Sequence, residues 1–162
     1  MYTYTGAQAK AEKIIKKYSN YELHECLTHG NLTLENLLWD YEKEKILMID
    51  PYGETYCETI LGDVSQVFQS SLSGYEVISY YLKDREVNIF VYPYDKIPEC
   101  IRVFSRNLEK QLELAFWYER DVISIFRASQ FTRMFPFKLS QNQRLAFFFL
   151  NHATELIDNI KC

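Results

Sequence analysis

The stretch His29-Gly30-Asn31-Leu32-Thr33-Leu34-Glu35-Asn36 decides how this chain is read, together with Leu37-Leu38, then Ile46-Leu47-Met48-Ile49-Asp50-Pro51 and Gly62-Asp63 further on. Two short apolar runs flank the polar turn Tyr41-Glu42-Lys43-Glu44, the pattern of a β-hairpin with a loop of a few residues. If the hairpin turns about Lys43, antiparallel pairing sets Asn36 opposite Asp50 at the open end. Asn31 enters the same end from a loop just upstream. An Asn carbonyl and an Asp carboxylate are both hard oxygen ligands. Mg²⁺ commonly takes one or two such groups and leaves its other positions to water and nucleotide phosphates. Each residue also has a plainer explanation. Asn31 suits a turn or a cap over Thr33-Leu34-Glu35, Asn36 and Asp50 are ordinary polar residues for a hairpin end, and Asp-Pro is a routine strand exit.

The string His-Gly-x-Leu-x-x-x-Asn followed by Ile-Asp-Pro resembles the catalytic loop and metal-binding Asp of kinase-like small-molecule phosphotransferases, the aminoglycoside phosphotransferase and choline kinase superfamily. The wording Leu32-Thr33-Leu34-x-Asn36-Leu37-Leu38 and Asp63-Val64-Ser65-Gln66-Val67-Phe68-Gln69-Ser70 is most similar to the predicted kinases of capsular polysaccharide clusters. The resemblance covers residues 20 to 80 well and the rest loosely. It implies an α+β fold: a mostly helical kinase-like carboxy-terminal lobe with a small catalytic-loop hairpin. It implies Mg²⁺ and ATP as cofactors, with Asn36 and Asp50 on the metal, and it assigns no nucleotide-binding residue. His29 would shape the loop, and Asp63 would brace it from the start of the next helix, where it also reads as a helix cap.

Two departures bear on activity. The resembled family has a catalytic Asp in a His-Gly-Asp order, where this chain has Asn31. That Asp accepts or orients the proton of the attacking hydroxyl. An amide offers a carbonyl hydrogen bond but is no useful base at pH 7. General-base assistance contributes roughly 10² to 10⁴ in rate, so turnover with Asn31 is expected to be slow. The second departure is that such enzymes hold the adenine with an amino-terminal lobe, and only 28 residues precede His29. The expectation is a carboxy-terminal lobe alone.

At 162 residues the chain has the length of one ordinary domain, 1–162, with the loop and metal segment at 29–63 and a helical remainder at 64–162. A hydrophobic content of 48% and a charged content of 25% are globular values and exclude a disordered chain. The 13 Tyr and 11 Phe point to a core or an interface rich in large rings. With a net charge of −4 and interspersed signs there is no basic footprint for nucleic acid. Cys26, Cys57, Cys100 and Cys162 lack Cys-x-x-Cys spacing, and no eighteen-residue apolar run or secretory leader pattern is present. The expectation is a cytoplasmic chain with reduced thiols and no membrane association.

Along the chain, helical spacing predicts a helix over Ala7–Tyr18 with Ala7, Ala11, Ile14, Ile15 and Tyr18 recurring, and Ser19-Asn20 closing it. Leu23–Thr28 reads as extended, and Tyr52–Ile60 as a polar loop over the site. A helix follows Gly62, with Val64, Val67, Phe68, Leu72 and Tyr75 on one face, and Gly74 ends or interrupts it. Lys83–Arg85 reads as a charged break and Val87–Tyr92 as a short strand or extended loop. A long helix starts at Ile97 and reaches Phe116 or, with a bend, Phe126. Phe131–Phe137, with Pro136, reads as a connector, and Ser140 as the cap of a last helix over Gln141–Ile160 whose stripe includes His152, read as a packed core histidine.

Three functions are compatible with these residues. One is ATP- and Mg²⁺-dependent phosphoryl transfer to a small hydroxylated, sugar-like acceptor, slow or absent in this chain alone. Another is a non-catalytic, pseudokinase-type binding module whose exposed lobe face is covered by a second copy or a partner chain. The third is a plain helical protein whose hairpin matches a catalytic loop by chance.

Overall fold

A computed structural model of the chain describes residues 4–53, 59–82, 93–115 and 120–161. It is mostly helical with one small sheet, in the order α1 (Tyr4–Tyr18), β1 (Leu37–Asp40), β2 (Lys45–Met48), α2 (Ile60–Ser71), α3 (Tyr75–Leu82), α4 (Glu99–Ala115), α5 (Arg120–Gln141) and α6 (Gln143–Asp158). Single turns of 3-10 helix occupy Leu34–Asn36 and Tyr94–Lys96. The expected α+β class is present. Residues Val87–Tyr92, the break at Lys83–Arg85, the middle of the Tyr52–Ile60 loop, Phe116, Cys57 and Cys162 lie outside the described residues.

Helix α2 is the centre of the arrangement. Every residue from Ser65 to Ser71 is buried, although the run contains Ser65, Gln66, Gln69, Ser70 and Ser71. Such a polar segment tolerates burial only when its side chains find partners. Here Ser65 Oγ donates to Gly62 O at 2.6 Å, while Gln66 and Ser70 face the loop that precedes the hairpin. Phe68, fully buried, supplies the apolar side. The expected apolar face is thus one side of a helix covered all round.

The main core lies between α5, α6 and α3. Helices α5 and α6 are joined by Asn142 alone and pack extensively, burying Ala128, Phe131, Leu145, Phe148, Phe149 and Ala153 with Ile78 and Ile97. The rings of Phe131 and Phe149 are 5.2 Å apart, and Tyr75 sits 5.5 Å from Phe149. Part of the aromatic content is therefore core. Gly74 separates α2 from α3 with φ +58°, and a Cβ there would stand 2.6 Å from Ile97 Cγ1. The α1 helix docks through buried Ile14, with Lys17 Nζ and Tyr18 Oη reaching Asp121 Oδ2 at 3.0 and 2.9 Å. Ile15 is 68% exposed, so the α1 stripe is narrower than its spacing implies.

Several boundaries differ from the expectations. Helix α1 begins at Tyr4 and α2 at Ile60, each earlier than predicted. The long helix starts at Glu99, with Ile97 packed as a buried residue before it. Residues 131–137 are no connector but the middle of α5, with Phe131 fully buried. Pro136 is accepted because both it and Thr132, whose carbonyl loses its donor, lie on the exposed side where water can serve instead. The cap of α6 is Asn142, whose Oδ1 accepts from Leu145 N at 3.1 Å, whereas Ser140 bonds back to Phe137 O inside α5.

The hairpin register is one residue away from the expected one. Leu37 pairs with Met48 and Asp40 with Lys45, so the loop centre falls between Glu42 and Lys43. The cause is the Asp40 side chain: its Oδ1 accepts from Glu42 N at 3.0 Å and Lys43 N at 3.1 Å, and Glu44 closes the turn at φ +48°. Asn36 consequently faces Ile49, whose N–H donates to Asn36 O at 3.0 Å. Leu38, Trp39, Ile46 and Met48 remain between 47% and 63% exposed, so apolar side chains are open on both faces of the sheet.

Candidate functional site

The site is built on one face of α2. Asp63, Gln66 and Ser70 stand at i, i+3 and i+7, which aligns them along the helix. Asp63 accepts from His29 N and Gly30 N at 2.7 and 2.8 Å. Gln66 accepts from Leu32 N at 2.7 Å and donates to Gly30 O at 2.8 Å. Ser70 Oγ accepts from Leu34 N at 3.0 Å and donates to Glu76 Oε1 at 2.5 Å. Three side chains thereby take up the polar backbone of residues 29–34, a segment that forms no ladder of its own. Gly30 at φ +73° lets this path turn without the penalty a Cβ would bring.

Asp63 is not the cap of α2, which begins earlier than expected with Thr59 at the N-cap position; from the first turn both Asp63 oxygens serve a loop more than thirty residues earlier in the chain. His29 O accepts from Tyr52 N at 2.9 Å, which ties the loop to the strand exit. The two ring nitrogens of His29 are buried with no hydrogen-bond partner among the described residues.

Asn31, Asn36 and Asp50 are brought together, though not by direct cross-strand pairing of Asn36 with Asp50. Asn31 supplies the connection. Its carbonyl accepts from Asn36 Nδ2 at 2.7 Å and Thr33 N at 2.9 Å. Its own amide nitrogen lies 3.4 Å from Asp50 Oδ2 and 3.5 Å from Asp50 O, a loose contact at the surface. Asn36 is buried and spends its amide N–H on Asn31, which turns its side-chain oxygen away from that carbonyl. Asp50 is exposed and holds φ +56° immediately before Pro51. For a residue other than glycine this conformation costs on the order of 1 kcal/mol, and Asp is among the residues that adopt it most readily.

Beneath the loop, burial raises the Glu76 carboxyl above its usual range; the Ser70 hydroxyl opposes that shift and the charge of Glu35 adds to it. Among the described residues no group of three or more His, Cys, Asp or Glu side chains could hold a metal ion. A site made of one carboxylate and amide oxygens does not need such a group if most of the ion's ligands come from phosphate and water.

Gln66, Ser70 and Glu76 support the loop, a role the sequence reading did not assign, although Gln66 and Ser70 stand in the string that carries the resemblance. The signal was present as a polar stripe at helical spacing from Asp63, on the flank of the apolar one. No helix of the described residues is long and apolar enough to cross a membrane. Compared with protein-family models, with curated proteins and with solved structures, the chain matches none of them.

Proposed function

We propose that this chain is a kinase-like lobe of the small-molecule phosphotransferase type, built for ATP- and Mg²⁺-dependent transfer to a hydroxylated, sugar-like acceptor and slow in that reaction because of Asn31. The observation that carries the reading is the junction at residue 31: Asn31 bonded to Asn36, in loose contact with Asp50 across the strand exit, and seated on α2 beside Asp63. The donor chemistry fits Mg²⁺. Asp50 would contribute an exposed carboxylate, and Asn36 the amide oxygen left over while its Nδ2 donates to Asn31 O. Bound there, the ion would neutralise phosphate charge. Asn31 would offer its side-chain oxygen to the acceptor hydroxyl without removing its proton. On the same face of the hairpin as Asn36 stand Leu38, Leu47 and Ile49, partly exposed, an apolar shelf suited to the flat side of a base. The nucleotide lobe that would close over this shelf comes, in this reading, from a partner chain or a longer product. The cytoplasm, where ATP is supplied, is its compartment.

Calorimetric titration with ATP and Mg²⁺, repeated on Asp50→Ala, tests the proposal. Metal-dependent nucleotide binding that disappears in the variant is the expected result. Binding that survives Asp50→Ala, or no binding in the presence of a supplied nucleotide lobe, would end it.

A second reading has its own observation. Trp39, Ile46 and Met48 are at least half exposed on the opposite face of the hairpin, away from Asn36, and a surface of that kind favours a non-catalytic module covered by a second copy or a partner. Sedimentation at high concentration distinguishes the two, because a strict monomer that binds Mg²⁺ and ATP leaves the binding-module reading without support.

A further inference from the structure

We propose that Gln66 is the positioning residue for residue 31, fixing it by gripping the peptide groups on either side of it. The assignment rests on reading residue 31 as the position that meets the acceptor, and it names what aims that position. Gln66 Nε2 donates to the carbonyl of Gly30, in the peptide group before Asn31, at 2.8 Å. Gln66 Oε1 accepts from the N–H of Leu32, in the peptide group after it, at 2.7 Å. One primary amide thus closes a ring around a single residue. The neighbouring contacts are of another kind. Asp63 only accepts, from residues 29 and 30, and Ser70 reaches no closer than Leu34.

The chemistry of the grip is selective. It needs a donor and an acceptor side by side on one planar group, which a carboxylate or an ammonium lacks. Gln66 is itself 4% exposed, on a helix whose neighbouring residues 65–71 are all buried, so the amide is held while it holds the loop. With a hydrogen bond on each flanking peptide, the backbone of Asn31 is held on both sides, and its side-chain amide lies 3.4 Å from Asp50 Oδ2. Reacting groups are sensitive to displacements of about 1 Å, so a support of this kind acts on chemistry without touching substrate.

The test is Gln66→Glu, which preserves shape. As a carboxylate, the substituted side chain would present an oxygen to the Gly30 carbonyl and break the grip; once protonated, its carboxyl regains one donor and one acceptor. The readout is the NMR signal of the Asn31 side-chain amide and of the Leu32 backbone N–H across pH, beside wild type. The other charged and titratable groups around this position are Asp63 on α2, His29 and Glu35 in the loop and turn, Asp50 at the strand exit and Glu76 on α3, and wild type, which carries all of them, is the reference at each pH. Burial and the facing Gly30 carbonyl favour the protonated carboxyl, so both signals are expected to match wild type at low pH and to depart from it on the alkaline side, once the carboxyl ionises. An Asn31 signal that stays in place up to the alkaline limit of the fold, or moves without returning on acidification, overturns the assignment. If the variant does not fold, wild type provides a second measurement, the scalar coupling across the hydrogen bond from Leu32 N to Gln66 Cδ. Its absence, where helix couplings are seen, is equally decisive against the grip. Mg²⁺ titration of the same samples separates the two readings. A reversible grip without metal binding supports Gln66 and counts against phosphoryl transfer, whereas metal binding with an unmoved Asn31 does the reverse.

Discussion

Ser73 Oγ lies 2.9 Å from His152 Nε2 in the interior, and Arg127 Nη2 donates to the same hydroxyl at 2.7 Å. Because Ser73 accepts from Arg127, its own proton can point at His152, and the imidazole accepts it in neutral form with Nδ1 turned toward Glu155, 3.5 Å away. A serine and a histidine so placed invite comparison with a nucleophile and its base. Both are at most 1% exposed, so the pair holds the α2–α3 joint to α6 and meets no substrate.

Burial, reinforced by the charge of Arg127, lowers the His152 pKa to about 3. The unfolded chain takes up a proton near the ordinary value of about 6.5, while the folded chain does not. Stability is therefore complete above that value and falls as pH drops toward 3, by roughly 1.4 kcal/mol per unit. Urea unfolding followed from pH 7.5 downward should show this slope, and His152→Gln should remove most of it. An unchanged slope in the variant would assign the loss to other groups.

Replacing Asp63 by Ala leaves the N–H groups of His29 and Gly30 without their acceptor. Hydrogen bonds to a charged group contribute roughly 1.5 to 3 kcal/mol each, so a total cost of about 3 kcal/mol is expected. Asp63→Asn, with a single acceptor oxygen, should lose about half as much. A charge in the first turn of α2, with Thr59 as the N-cap residue, would by itself contribute only about 0.3 to 1 kcal/mol, and thermal unfolding of the two variants decides between these roles.

Asn31→Asp introduces a carboxylate at the atom now 3.4 Å from Asp50 Oδ2. Without a cation the two charges repel, and the melting temperature should fall. Millimolar Mg²⁺ should recover it in this variant more than in wild type, because the ion would then have two facing carboxylates. With a nucleotide lobe supplied, phosphoryl transfer should increase by about 10² or more. No gain in turnover would sink the active-enzyme reading.

Gly74→Ala combines a left-handed backbone with a methyl group 2.6 Å from Ile97 Cγ1. Strain and overpacking together should cost roughly 2 to 3 kcal/mol. Calorimetric melting checks the value, and a loss of only about 1 kcal/mol, the backbone strain alone, would mean that Ile97 moves aside freely.

What the sequence revealed follows the range of the interactions involved. The polar residues around the hairpin were legible because their meeting needs only a short turn, and Asp63 because a familiar pattern points at it. The register slipped by one because four polar turn residues do not disclose their centre; the Asp40 side chain chooses it. Pro136 was given too much weight, since a helix tolerates proline where the orphaned carbonyl faces water. Asn142 was passed over for Ser140, two candidate caps two residues apart. Gln66 and Ser70 stand in the string that carries the resemblance, but apolar spacing does not disclose their role, as their partners are backbone atoms more than thirty residues away.

The single residue Asn142 between α5 and α6 has a consequence for the order of assembly. Two long helices that reverse over one residue find their packing partners within residues 120–158, so their association closes almost no loop and is expected early in folding. The segment 29–34 is in the opposite position, since it can settle only after α2 exists to receive it. The molecule is then robust at its carboxy-terminal end and latest to organise where its chemistry would occur. Local opening of the loop costs less than loss of the helical pair.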